Sequence, residues 1–322
     1  MQRLELASIE KAKQLLQNGT VNRVLGWQKG EFVYDVSPAV FYSEEQLKNF
    51  VYNGFCGANL SKYLIEESKK EGKILVFLKP CDTYSFNQLI KEHRIKRENI
   101  YVVGVECQGK FDIEKFYEKN IEFVNSIEET VNGVKVNGEV DLDRNEVKLE
   151  RCLVCDKKHV VYDELIEFEE KVAPLKDKFE EVKKLESMSN EERFAFWKSQ
   201  LSKCIRCNAC RNVCPACNCT KCVFDNANSG VESKANTDSF EEKLFHIIRA
   251  FHVAGRCTDC GECSRVCPQN IPLHLLNRKH ISDIDNLYGV YRAGEDTTSR
   301  GPLTNFDKED LDPTDAVGGK RK

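Results

Sequence analysis

Long apolar runs are missing from this chain of 322 residues. None approaches the roughly 20 residues that a membrane-spanning helix needs; the longest are strand-sized, such as Ile74–Leu78. The first residues, Met1-Gln2-Arg3-Leu4-Glu5-Leu6, hold no apolar signal core. An excess of one charge is missing too. Lys and Arg number 48 against 52 Asp and Glu, a net charge of −4, so nothing in the charge balance points to nucleic acid. No Ser–His–Asp arrangement, phosphate-binding glycine loop or paired-carboxylate motif stands out, which removes the common hydrolase and transferase signatures. With 31% charged residues, the expectation is a cytoplasmic protein without membrane insertion. The length suggests two domains, or one with a large appendage.

What the chain has in quantity is cysteine, 16 in all. In a reducing compartment thiols serve metal rather than disulfides. Eight of them form two runs, Cys204-x-x-Cys207-x-x-Cys210-x-x-x-Cys214-Pro215 and Cys257-x-x-Cys260-x-x-Cys263-x-x-x-Cys267-Pro268. This spacing is the bacterial two-cluster ferredoxin signature, in which the fourth cysteine of each run reaches the other cluster. The expected sets are therefore Cys204, Cys207, Cys210 and Cys267 for one [4Fe–4S] centre, and Cys257, Cys260, Cys263 and Cys214 for the other. Zinc ribbons also use C-x₂-C pairs, but two complete reciprocal runs favour iron–sulfur. Residues 240–253 between the runs have amphipathic helical spacing, with His246 and His252 expected as groups beside the ligands or on the surface. A helix there predicts an α-helical dicluster ferredoxin domain.

Residues 1–162 read as an α/β domain with a short parallel sheet. Helices are expected at 9–17, after a capping box at Ser43-Glu-Glu-Gln46, and at 59–70. Ile74–Leu78 and Ile100–Val105 are continuous apolar runs with a helix at 83–93 between them, a strand–helix–strand unit. The first strand leads to Lys79-Pro80-Cys81-Asp82 and the second to Glu106-Cys107-Gln108-Gly109. Ligands bind at the carboxyl ends of parallel strands, so these two cysteines share a functional rim. Asn132-Gly133 and Asn137-Gly138 bracket a hairpin. An isolated pair, Cys152 and Cys155, follows. Cys81, Cys107, Cys152 and Cys155 are either the ligands of a third cluster or two core cysteines and a chance pair.

Residues 163–202 form a charged helical connector, with helices at 164–170 and 175–186 and a capping box at Ser189-Asn-Glu-Glu192. Residues 203–288 are the dicluster domain, with a helix from 273 to about 281. Residues 289–322 hold few apolar residues and are expected to be an extended partner-binding tail. Cys217, Cys219 and Cys222 follow the first run directly. With Cys56 they number four, either a fourth cluster or buried thiols that tune potential through weak S–H donation.

These motifs together resemble the beta subunits of deazaflavin-dependent hydrogenases and formate dehydrogenases. The resemblance rests on Lys79-Pro80-Cys81-Asp82, Val103-Gly104-Val105-Glu106-Cys107 and Arg151-Cys152-Leu-Val-Cys155. It also covers Cys204 to Cys222 and Cys257 to Pro272, where the formate dehydrogenase members are most similar. It implies a third [4Fe–4S] cluster on Cys81, Cys107, Cys152 and Cys155; Lys79, Asp82 and Gln108, which adjoin Cys81 and Cys107 in sequence, are the candidate cofactor-binding groups beside it. It also implies partner redox subunits, of formate dehydrogenase, hydrogenase or heterodisulfide-reductase type. Many members bind FAD and exchange a hydride with a deazaflavin. Residues 1–45 contain no counterpart of the glycine-rich segment that opens the flavin site. The expectation is therefore a non-catalytic electron-transfer subunit; the alternative is an FAD-containing subunit acting on a deazaflavin or nicotinamide.

Overall fold

The computed structural model describes residues 2–130, 133–167, 174–225 and 239–304, with side chains in the last segment from residue 243 onward. The chain opens with α1 (Gln2–Gln17). Leu4, Ser8, Ala12 and Leu15 form its buried stripe, so the helix begins at residue 2 rather than 9. It stops before Gly19, which takes the left-handed conformation at φ 73°. The strands β1 (Arg23–Lys29) and β2 (Val36–Phe41) follow as an antiparallel pair. The capping box expected at residues 43–46 does not form. The Gln46 side chain instead accepts from the Tyr42 amide at 2.7 Å, and only a single 3₁₀ turn, Gln46–Asn49, results. The helix expected at 59–70 is a 3₁₀ turn, Leu60–Tyr63, running into α2 (Leu64–Glu67). Asn59 caps it by accepting from the Ser61 amide.

Next come β3 (Ile74–Leu78), α3 (Pro80–Lys91) and β4 (Ile100–Val105), the expected strand–helix–strand unit. All five residues of β3 are buried. The helix starts at Pro80, three residues earlier than expected, because proline is preorganised for the first helical position and lacks the amide that would go unpaired there. Then follow α4 (Ile113–Tyr117), β5 (Ile127–Glu129), β6 (Gly133–Val136), β7 (Val140–Asp143), α5 (Glu150–Leu153) and β8 (Glu164–Ile166). β6 and β7 are joined through Asn137 and Gly138, both left-handed at φ 53° and 74°, as a tight hairpin requires. Asn132 lies outside the described residues.

The main sheet has the order β2-β1-β3-β4-β8, parallel except for β2. β8 corrects the helix expected at 164–170. Its backbone pairs with the outer edge of β4, and Glu164 accepts from Tyr101 at 2.6 Å and pairs with Lys11 at 2.6 Å. The sheet therefore extends past residue 162; residues 168–170 lie outside the described residues.

The rest is helical: α6 (Glu180–Glu186), α7 (Asn190–Leu201), α8 (Ala209–Asn212), α9 (Ser239–Val253), α10 (Glu262–Arg265) and α11 (Leu273–Tyr288). α6 starts later than the 175 expected and α11 runs past 281. The capping box of α7 forms as read: Ser189 Oγ accepts from the Glu192 amide at 3.2 Å, and Glu192 accepts from the Ser189 amide at 2.9 Å. No helix among the described residues is long and apolar enough to cross a membrane.

The tail needs correction as well. Part of residues 289–304 lies against the chain's own body. Arg292 pairs with Asp156 at 2.6 Å, Ala293 is buried, and Gly294 sits so close to the Tyr84 carbonyl that an added Cβ would be 1.9 Å from its oxygen. Few apolar residues are needed for this, because backbone approach and polar contacts, among them Lys91 with Asp296 at 3.9 Å and the Tyr291 amide with Asp285 at 3.1 Å, help hold the segment. Residues 305–322 lie outside the described residues.

Candidate metal centres

Three loops at the carboxyl rim of the parallel strands converge on one cavity. Cys81 enters from the first turn of α3, Cys107 from the loop after β4, and Cys152 and Cys155 from α5 and the residues after it; all four line the cavity. The three-stranded antiparallel sheet of β5, β6 and β7 braces this rim. Arg144, buried in an ion pair with Glu129 at 2.8 Å, donates to the Gln108 carbonyl at 3.3 Å. The Lys110 amide donates to Cys152 Sγ at 3.3 Å.

The chemistry of the donors suits an anionic iron–sulfur group. Burial pushes the Cys81, Cys152 and Cys155 thiols up, Cys155 to about 12. Left alone they would stay protonated, whereas metal binding displaces the proton. Positive charge surrounds them: Lys79, Lys110 and Arg151 all line the cavity. Burial alone would lower the Lys79 pKa, but the Asp82 and Cys81 charges outweigh it and hold the ammonium charged. Lys79 Nζ donates to Asp82 at 2.7 Å and to the Ala58 carbonyl at 2.7 Å, and lies 4.5 Å above the Trp27 ring. Lys79 and Gln108 line the same cavity as the four thiols, while Asp82 anchors Lys79 and accepts from Cys81 at 3.6 Å.

The two C-terminal runs share a backbone design. In each, the residue before and the residue after the middle cysteine are left-handed: Arg206 (φ 55°) and Asn208 (φ 61°) flank Cys207, and Asp259 (φ 54°) and Gly261 (φ 67°) flank Cys260. Non-glycine residues held at positive φ persist only where their surroundings enforce it. Here the pair of left-handed residues curls each C-x-x-C-x-x-C loop into a bowl. Cys214, from the first run, acts electrostatically on Cys257, Cys260 and Cys263 of the second. Cys267 acts on Cys210. Burial raises Cys257, Cys260 and Cys263, the last two to about 12 and about 11. Cys260 also lines the cavity of the N-terminal thiols, so the second run abuts the third set.

The surplus cysteines separate. Cys217 lies against Cys214 and hydrogen-bonds to it, which pulls the Cys214 thiol down. Cys219 is exposed, and Cys222 packs against the same buried cluster as Cys204 and Cys267. Cys56 is far from these, in the core of the N-terminal domain. Its thiol donates to the Val51 carbonyl at 3.5 Å, and its charged surroundings are Lys110, Lys79 and Glu129. The structure does not bring it to Cys217, Cys219 and Cys222.

Three buried groups near the thiols went unnoticed or were undervalued in the sequence. Arg151 donates to the Cys260 carbonyl and pairs with Glu262 at 2.6 Å, tying the Cys152 helix to the second run. His252 is exposed, but His246 is buried, with Nε2 3.2 Å from Cys204 Sγ. Arg249, one turn further along α9, is buried as well. An arginine and a histidine on the apolar face of α9 were the available signal. Among the described residues no group of three or more His, Cys, Asp or Glu side chains is arranged to hold a single metal ion. A cuboidal cluster asks for something different, four thiolates on separate irons.

The family model described as a 4Fe-4S dicluster domain matches residues 200–271. The F420-dependent formate dehydrogenase subunit beta of Methanocaldococcus jannaschii is 27% identical, over 92% of this chain and 93% of its own length. The F420-dependent formate dehydrogenase 1 subunit beta of Methanococcus maripaludis is 27% identical over 66% of this chain and 72% of its own. Among solved structures, a chain from the xenon derivatization of the F420-reducing [NiFe] hydrogenase complex of Methanosarcina barkeri aligns with a TM-score of 0.37 and 15% identity, covering 49% of this chain and 59% of that one.

Proposed function

We propose that this homologue of formate dehydrogenase beta subunits is an iron–sulfur electron-transfer subunit of an oxidoreductase complex, holding three [4Fe–4S] clusters. The observation that carries the reading is the repeated pair of left-handed residues around Cys207 and Cys260, with Cys214 set among the thiols of the other run. Cys204, Cys207, Cys210 and Cys267 would hold one cluster, Cys257, Cys260, Cys263 and Cys214 the second, and Cys81, Cys107, Cys152 and Cys155 the third. Such clusters supply one-electron transfer when bound. The chain's own work is to fix their order and surroundings. Cys260 borders the third set's cavity and Arg151 locks the two together, so the second set sits between the other two. Cys207, exposed in the first run, and the N-terminal cavity are then the two ends at which partner subunits would exchange electrons. Lys79 and Gln108 line the third set, with Asp82 fixing Lys79.

The test is a potentiometric titration of the anaerobically purified complex followed by electron paramagnetic resonance. The reading expects one-electron steps from this chain and no reduction of the isolated chain by a hydride donor. Reduction by NADH or a reduced deazaflavin, with bleaching of a bound flavin, would replace it with the FAD-containing alternative.

A further inference from the structure

Buried arginines in this protein are mostly held by a carboxylate or an aromatic face; Arg206 lies over the Phe245 ring, its guanidinium carbon 4.1 Å from the centroid. Arg23 pairs with Glu67, Arg144 with Glu129, Arg151 with Glu262, and Arg278 with Asp259. Each pairing offsets the large cost of taking a guanidinium out of water. Arg249 is 4% exposed and has no carboxylate partner among the described residues. Its one hydrogen bond is long, from Nη2 to the Cys210 carbonyl at 3.5 Å, and its Nε meets no acceptor. A guanidinium cannot shed its proton to escape this, because it stays charged in proteins.

What surrounds Arg249 is sulfur. The groups that act on it most strongly are Cys210 of the first run, Cys263 of the second, then Cys214 and Cys217. α9 brings it there. On its apolar side Phe245 joins the buried cluster that holds Cys210 and Cys263, Val253 joins the one that holds Cys214, and Ala250 is buried as well. His246, a turn earlier, reaches Cys204 of the first run.

We propose that Arg249 is the shared counter-cation of the two centres held by the C-terminal runs, and that it sets both of their potentials. The inference rests on the reading that these thiolates bind clusters. A centre ligated by four thiolates is anionic and becomes more so on taking an electron. A fixed cation inside a low-dielectric core favours that reduced form, and net charge is one of the terms that set cluster potential. Because Arg249 faces thiols of both sets, it raises both potentials together. His246, which touches the first run alone, cannot do this.

Arg249→Gln and Arg249→Lys, made in the intact complex and purified anaerobically, test the assignment. Iron and sulfide are counted first, and the potentials are then read by titration with paramagnetic resonance. With iron unchanged, R249Q should shift both C-terminal centres to more negative potential and leave the N-terminal centre where it was. R249K, which keeps the charge, should hold both near wild type. Unmoved potentials in R249Q, or a shift confined to one centre, would overturn the proposal. If R249Q loses iron, R249K decides: potentials near wild type support the role of charge, and a large negative shift of both despite the retained charge contradicts it. A wild-type protein lacking the two C-terminal centres would instead refute the functional reading beneath it.

Discussion

Arg151 Nη1 lies 2.6 Å from Glu262 Oε1, and this contact joins the helix of Cys152 to the helix of Cys263. Arg265 and the Asn59 amide complete the carboxylate's shell. Burial alone would raise the Glu262 pKa, but Arg265 and Arg151 outweigh it and hold it at about 2, against 4.5 when free. A depressed carboxylate contributes stability that is present above its unfolded pKa and lost as pH falls through the folded one. Glu262→Gln should therefore cost about 3 kcal/mol near neutral pH, by the size of the shift. The gap between wild type and variant should close between pH 4.5 and pH 2. Thermal denaturation of both proteins across that range checks it; a gap independent of pH would remove the ion pair from the account.

Gly261 tests the bowl itself. It sits at φ 67°, and a Cβ there would lie 2.7 Å from Arg151 Cδ and 2.9 Å from Arg151 Cβ. Gly138, in the hairpin, has a similar φ of 74° with nothing within 4 Å. Gly138→Ala should cost only the backbone strain, about 1–2 kcal/mol. Gly261→Ala should cost clearly more, because Arg151 must withdraw from the Cys260 carbonyl and Glu262. Melting temperatures and iron content of the two variants, measured side by side under argon, settle the comparison. Equal effects would mean that Arg151 can move freely.

Cys214 belongs by sequence to the first run, yet it shares a buried cluster with Cys257 of the second, and its charge acts on Cys257, Cys260 and Cys263 as well as on Cys210. Cys214→Ser should therefore abolish the same paramagnetic signal as Cys260→Ser, with the signal lost in Cys207→Ser preserved. Loss of the Cys207 signal instead would show that each run binds its own cluster.

Much of this arrangement was legible before the structure, for identifiable reasons. β3 and β4 are continuous apolar runs buried on both faces, so their bounds coincide with the expected ones. The Ser189 box forms because Glu192 is free to reach back, whereas Gln46, in the same sequence pattern, is taken by the Tyr42 amide. β8 misled because Glu and Leu favour helix, and the free edge of β4 that overrides them lies 60 residues away. β1 and β2 carried no expectation: Arg23 and Pro38 interrupt their patterns, and the Arg23 charge is absorbed by Glu67. The N-terminal four thiols were assigned to a cluster only through the resemblance; the two C-terminal runs, which the dicluster family model covers, were readable from spacing. Arg151, Arg249 and Glu262 were not, because their meaning depends on partners far along the chain.

Cys56 separates packing from ligation. It is fully buried, and its thiol, pushed up to about 11 by burial, is engaged with Val51. Cys56→Ala should leave iron per chain unchanged and lower stability by about 1 kcal/mol, the scale of a small core truncation. A drop of about four irons per chain would return Cys56 to the list of ligands.

The central claim is most directly tested by counting iron, acid-labile sulfide and flavin per chain in protein purified anaerobically with its partner subunits. Three clusters predict about twelve irons and twelve sulfides with no flavin. About eight irons together with one flavin would contradict the account and make the chain a hydride-handling subunit.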